Sequence, residues 1–149
     1  MSIMGISHFE RFFREAASLD VDKSDLKRMS DFLNQKLHDL LLMGVVTAKA
    51  NGRDIIQVYD LPITKGLQES IHQFKKMDLV LELKPILEQL ATLPTLELDY
   101  SDEVEAKLPE IVGGLTLALA KTFKVLDPAL KNPQTEHWEK AIEIFDQLL

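Results

Sequence analysis

Four histidines and a dense set of carboxylates are the residues of this chain with the most obvious chemistry to offer. His8, His38, His72 and His137 are of a type that holds metal or shuttles protons. A zinc site needs its ligands at matched spacing, as in HExxH. No two of these histidines are four apart. His38 and Asp39 are adjacent, which points their side chains away from one another on a helix. Asp99, Asp102, Glu103 and Glu105 gather where a helix begins, and negative charge there suits the helix dipole. Their spacing lacks the alternating oxygen ligands and the glycine of a calcium loop. GxSxG, a phosphate-binding glycine loop and a dinucleotide fingerprint are all missing. Gly113-Gly114 falls inside a helical pattern, where it cannot cradle phosphate. The chain has no cysteine, which excludes disulfides and thiolate metal sites. These residues predict no catalytic group, no metal and no cofactor.

The elements that carry them are read from apolar periodicity. Phe9, Phe12, Phe13, Ala16 and Ala17 form a short helical stripe. Asp20-Val21-Asp22-Lys23 breaks it, and Asp22 or Ser24 can cap the next helix. That helix is long, about 25–50, and carries Leu26, Met29, Leu33, Leu37 and Leu40. From Leu40 to Val46 it is apolar on nearly all sides, a pattern that predicts burial all round. Asn51-Gly52 ends it. Ile55-Ile56-Gln57-Val58-Tyr59 is rich in β-branched and aromatic residues and too short for a helix between Gly52 and Pro62, so it reads as extended. Asp60 then precedes Leu61-Pro62 as the N-cap of a third helix that buries Ile63, Leu67, Ile71 and Phe74.

The second half repeats short, long, short. Leu83, Ile86, Leu87 and Leu90 form a short helix. Residues 95–98 alternate and read as extended. Ser101-Asp102 caps a long helix of about 102–126, with Pro109 inside it. After Asp127-Pro128, Asn132-Pro133 opens a last helix with Trp138, Ala141, Ile142, Phe145 and Leu149.

At 149 residues and 46% apolar composition, the chain has enough to bury as a single domain of 1–149 with halves 1–78 and 79–149. No apolar run reaches membrane-spanning length. The start, Met1-Ser2-Ile3-Met4-Gly5, lacks the basic and apolar regions of a secretory leader. A cytoplasmic, soluble protein with no membrane partner is expected. The net charge of −7 is uneven: residues 1–78 balance 11 Lys/Arg against 11 Asp/Glu, and residues 79–149 set 6 against 13. Nucleic-acid binding rests on cations that neutralise phosphate, so this balance disfavours it.

Two halves with the same helix order resemble tandem histone folds. The stretch from Phe9 to Ile55 resembles the archaeal histone pattern, and Ala48-Lys49-Ala50-Asn51-Gly52-Arg53 with Asp60 resembles its signature around the second loop. The whole chain is similar to a bacterial family of double-histone-fold proteins of unknown function. Its marks here are Leu19-Asp20-Val21-Asp22-Lys23, Asn51-Gly52-Arg53-Asp54 and Asp127-Pro128-Ala129-Leu130-Lys131-Asn132-Pro133-Gln134. The resemblance implies an all-α fold in which two tandem histone folds form an intramolecular pseudodimer. It also implies that residues 55–58 lie beside residues 96–98 as a two-stranded bridge.

The resemblance carries three further expectations. Arg53 and Asp60 match the ion pair that clamps the histone loop to its third helix; as bare sequence they are two charges that contribute little if they meet in solvent. Gly113 and Gly114 match the place where the two long helices cross, although a glycine pair also simply weakens a helix. Arg11 and Arg14, with Lys84, are the cations left where histones grip phosphate with their first helices. The loop grips are replaced by Asp20, Asp54 and Ile55, and the partner loop brings Glu97, Asp99 and Asp102. The function implied is a non-enzymatic module for an unidentified protein partner, with weak, sequence-independent, salt-sensitive DNA binding as the alternative. Oligomeric state stays open: Ile71, Phe74 and Met77 either form an apolar patch for self-association or pack inside.

Overall fold

The computed structural model describes residues 6–149, with side chains from Phe9 onward. Residues 1–5, on which the reading of no secretory leader rests, and the side chain of His8 lie outside the described residues. Six helices are joined by short loops: α1 (Ile6–Ala17), α2 (Lys23–Ala50), α3 (Lys65–Lys75), α4 (Leu83–Leu90), α5 (Asp102–Leu126) and α6 (Thr135–Leu148). A two-residue strand, β1 (Ile55–Ile56), comes after α2, and another, β2 (Asp99–Tyr100), precedes α5.

Local chemistry accounts for the ends of these helices. Asp22 caps α2 by accepting from the Ser24 and Asp25 amides, while the Asp25 carboxylate accepts from the Asp22 amide, a reciprocal box. Gly52 takes a φ of +71° after α2, a conformation that costs a residue without Cβ little. Ser101 caps α5 through Val104 N–H. The third helix begins later than Asp60 and Pro62 suggest. Thr64 is its cap, because residues 58–60 are drawn into a tight 3₁₀ turn by the Asp60 carboxylate, which accepts from Gln57 N–H at 2.8 Å.

The third helix of each half lies across the other half. α3 packs chiefly on α5. Ile71 and Phe74 sit directly over the glycine pair: a Cβ on Gly113 would fall 2.4 Å from the Phe74 ring, and one on Gly114 2.5 Å from Ile71 Cγ1. The glycines are thus a point of close approach, and the helix that presses on the side where their Cβ atoms would stand is α3. The same contact removes Ile71 and Phe74 from the surface, and Met77 is half-buried beside them. They are therefore not a patch for self-association.

α6 makes the return crossing. Phe145 meets Phe32 of α2 edge-on at 5.0 Å, while within its own half Trp138 meets Phe123 of α5 at 4.9 Å. The Trp138 indole N–H donates to the Asp25 carboxylate at 3.0 Å. Burial pushes the Asp25 carboxyl above its ordinary range, and the two N–H donors offset part of that cost. At the α1 end, Phe12 stacks on Phe74 at 5.7 Å and Phe13 tilts against Phe123, so the core runs unbroken between the halves.

β1 pairs with β2 in parallel, Ile55 opposite Asp99 and Ile56 opposite Tyr100. The two loops meet as expected, but the partner strand is 99–100 and not 96–98, since Ser101 N–H also donates to Ile56 C=O at 2.9 Å and carries the pairing up to the α5 cap. Leu40 and Leu41 are buried. The run is not buried all round, however: Leu42, Met43 and Val46 are 43%, 50% and 56% exposed. They continue the helix face that bears Gln35 and Asp39.

The glycine contact can be tested directly. Gly113→Ala adds helix propensity yet places a methyl inside van der Waals contact with Phe74. It should lower the urea midpoint by the equivalent of about 1–3 kcal/mol. Gly66→Ala in α3, where nothing lies within 4 Å, should instead be neutral or stabilise by up to about 1 kcal/mol.

Candidate functional site

The loop that closes α2 is built around one ion pair. Arg53 leaves the helix end with its amide bonded to Ala48 C=O at 2.9 Å. Its guanidinium then meets the Asp60 carboxylate with both nitrogens, Nη1 to Oδ2 and Nη2 to Oδ1, the latter at 2.6 Å. The Asp60 side chain is wholly buried and that of Arg53 29% exposed. The Arg53 hydrogen bond holds the Asp60 carboxyl below its ordinary range, against the opposing effect of burial, with Gln57 N–H assisting. Arg53 also lies over the Tyr59 ring at 4.9 Å, a cation–π contact. Inside this loop Ile56 is fully buried. It seats against Gly44 of α2, where a Cβ would fall 2.8 Å from Ile56 Cγ2. Gly44, Ile56 and the Arg53–Asp60 pair therefore hold the strand bridge as one unit.

The opposite end of the molecule is joined differently. Asp20 N–H donates to Lys131 C=O at 2.6 Å. No arginine comes after α5, so Lys124 reaches Leu130 C=O instead, and Asp127 stands 3.9 Å from His137.

The faces on which histones hold phosphate are charge-compensated here. Arg11 pairs with Glu15 at 2.9 Å and also reaches Asp78 C=O. Arg14 and Lys84 are exposed on α1 and α4, with no ion pair among the described residues. Glu10 and Glu15 balance the two arginines of α1, and Glu88 balances Lys84 on α4, so neither helix presents a positive stripe. At the loop end Lys49 is held by Glu97 at 2.6 Å, a contact that depresses the Glu97 carboxyl. Arg53 is committed to Asp60. The remaining loop charges, Asp54, Asp99 and Asp102, are exposed carboxylates.

No catalytic constellation emerges among the described residues, and no three metal-ligating side chains gather there. A cleft of about 480 Å³ between α2, α4 and the loop after α4 has His38 and Tyr100 in its lining. His38 Nε2 is already bonded to Pro94 C=O at 2.9 Å. Burial, with Glu105 and Asp99, pushes the Tyr100 phenol above its ordinary range, away from use as a base. No described helix is long and apolar enough to cross a membrane.

What remains is a surface that apolar periodicity alone assigned to the interior. Leu42 and Met43 line one cleft with Pro62, Leu148 and Leu149. Leu148 is 72% exposed, and Ile144 continues the surface along α6. The signal lay in the polar residues one and two turns earlier, because Gln35 and Asp39 mark the face of α2 that looks outward. Lys36 next to it gave no signal: it is buried and paired with Asp146, with Asp39 at 3.6 Å.

Comparison with known proteins places this geometry. A family model described as a domain of unknown function matches residues 9–146. A crystal structure from Thermus thermophilus is similar at a TM-score of 0.95, with 56% identity and 99% of each chain covered. A crystal structure of an Aquifex aeolicus protein is similar at 0.83, with 26% identity over 99% of this chain and 97% of that one. An uncharacterised protein of Aquifex aeolicus (strain VF5) is 27% identical over 144 residues, 97% of this chain and 84% of its own. The histone of Methanopyrus kandleri superposes at 0.60 with 16% identity, covering 91% of this chain and 90% of the histone. The fold is all-α and histone-like.

The clamp predicts a pH signature. The Asp60 carboxyl lies below its unfolded value of about 3.9, so its stabilisation is complete above that pH and is lost as pH falls through the folded pKa. In urea titrations between pH 6 and pH 2, Asp60→Asn should be less stable than wild type at pH 6. It should also show a shallower acid limb. Arg53→Ala should lower the thermal midpoint at neutral pH by several degrees, since it strands a buried carboxylate. Unchanged midpoints in both variants would remove the clamp as a source of stability.

Proposed function

The chain belongs to the DUF1931 family, and from that premise we propose that it is a non-enzymatic histone-fold module whose work is to bind another protein. One observation carries the reading: the outward face of α2 is apolar at Leu42, Met43 and Val46 and runs into exposed Leu148. A lone exposed apolar side chain needs no explanation, but a contiguous patch beside a cleft is where a partner buries its own apolar surface. The likeness to a histone at 16% identity speaks for fold alone, and fold does not carry function with it.

DNA binding is the competing reading, and the charge distribution weighs against it. Each phosphate contact releases counterions, so affinity tracks the number of free cations on the face. Here the cations of α1, α4 and the loop end are largely matched by carboxylates within a few ångströms or a few residues. Arg11, Arg14 and Lys84 support two or three contacts, too few and too localised to wrap a duplex.

A gel-shift salt series separates the two. Wild type should give no DNA complex at about 150–200 mM salt; any complex at about 50 mM should weaken steeply as salt rises and disappear in Arg11→Glu/Arg14→Glu. Tight binding at 200 mM salt that survives the double substitution overturns the protein-binding reading. In a tagged pull-down from the native host after nuclease treatment, protein retained by wild type should be lost by Met43→Glu.

A further inference from the structure

We propose that the partner on the outward face of α2 is a second copy of the chain, docked antiparallel on the same face across a two-fold axis near residue 44. The inference rests on the interaction-module reading above and names the occupant of its surface. Asp39, Leu42, Met43, Val46 and Lys49 succeed one another at i, i+3, i+4, i+7 and i+10, which lays them along one side of an α-helix. The stripe is charged at both ends and apolar between: Asp39 negative, Lys49 positive, with three exposed apolar side chains separating them.

That order is self-complementary. A two-fold interface uses the same patch on both subunits, so each residue meets its counterpart reflected through the axis. In an antiparallel pair of helices centred on position 44, residue 39 faces residue 49 of the other copy, and residue 42 faces residue 46. Asp39 then meets the partner's Lys49 at one end, and the pair repeats at the other end. Parallel docking would set like charges together. Gly44, at the centre of the register, points inward to Ile56 and Leu61, so it leaves the outward face to Met43 and Val46. Both charges are available: the Asp39 side chain is 34% exposed and that of Lys49 55%. Their present partners, Gln35 and Lys36 for Asp39 and Glu97 for Lys49, lie on the same chain and can remain alongside.

The exposed apolar surface agrees with a second copy. Leu42, Met43, Val46, Ile144 and Leu148 are all large apolar side chains left exposed, the kind of surface that forms the apolar core of an interface. The cleft beside the stripe, lined by Pro62 and Leu148, is placed to receive the partner's Met43.

Sedimentation equilibrium between about 5 and 500 μM at ~150 mM salt tests this on the full chain. Wild type should shift from monomer to dimer mass within that range. Met43→Glu and Val46→Glu should each weaken association at least tenfold, with helical circular dichroism unchanged. Asp39→Lys and Lys49→Glu should each weaken it as well, and an equimolar mixture of those two should restore it, because each then supplies the charge the other lacks. A wild type that stays monomeric throughout, or a dimer indifferent to Met43→Glu, overturns self-docking. A dimer lost in Met43→Glu but not restored by the mixture overturns the antiparallel register. DNA retained at 200 mM salt would instead bring down the module reading itself.

Discussion

The contact of α3 with the glycine pair of α5 is the constraint on which the rest of the molecule depends. A short–long–short helical unit cannot cover the apolar face of its own long helix, and here that face is covered by the third helix of the other unit. Phe74 and Ile71 reach the α5 backbone only because positions 113 and 114 have no Cβ. Their burial then sets where α1 can lie, since Phe12 stacks on the other side of Phe74. The return crossing of α6 uses larger side chains and a hydrogen bond from Trp138 to Asp25. The two crossings therefore share topology without sharing chemistry.

The exchange brings each second-half loop beside a first-half loop, and the two ends have diverged. At one end a bidentate Arg53–Asp60 pair, a buried Ile56 and a parallel bridge make a rigid block. At the other a single backbone hydrogen bond from Asp20 to Lys131 joins the loops. In both cases one cation is turned toward the protein's own loops, Arg53 to Asp60 and Lys124 to Leu130 C=O. A cation already bonded to a buried carboxylate has little left to offer phosphate, whereas the same bond gains strength from its low-dielectric surroundings. Structural use and phosphate binding compete for the same side chains, and at the clamped end structure has taken them.

The apolar surface stands in contrast. Nothing in the core requires Leu42, Met43 or Val46 to be apolar, because α2 already buries Leu37, Leu40, Leu41 and Val45. Polar residues at 42, 43 and 46 would cost the isolated fold little. The core therefore does not account for their apolar character, and it is this feature that the proposed docking would explain.

The sequence by itself determined the six helices, their order and most of their ends, because apolar repeats of 3–4 residues and polar caps at Asp22 and Ser101 act over one or two turns. Its resemblance to histones also implied that Arg53 and Asp60 pair and that Gly113-Gly114 is a place of close approach. What presses on those glycines was decided only by tertiary structure: any helix of either half could have filled the gap, and the choice of α3 depends on how the halves interlock. The strand pairing at 99–100 and not 96–98 was decided the same way, by hydrogen bonds from another part of the chain. The exposure of Leu42, Met43 and Val46 was decided there too. Hydrophobicity says which residues gain from burial; only the packed neighbours determine which of them obtain it within one chain.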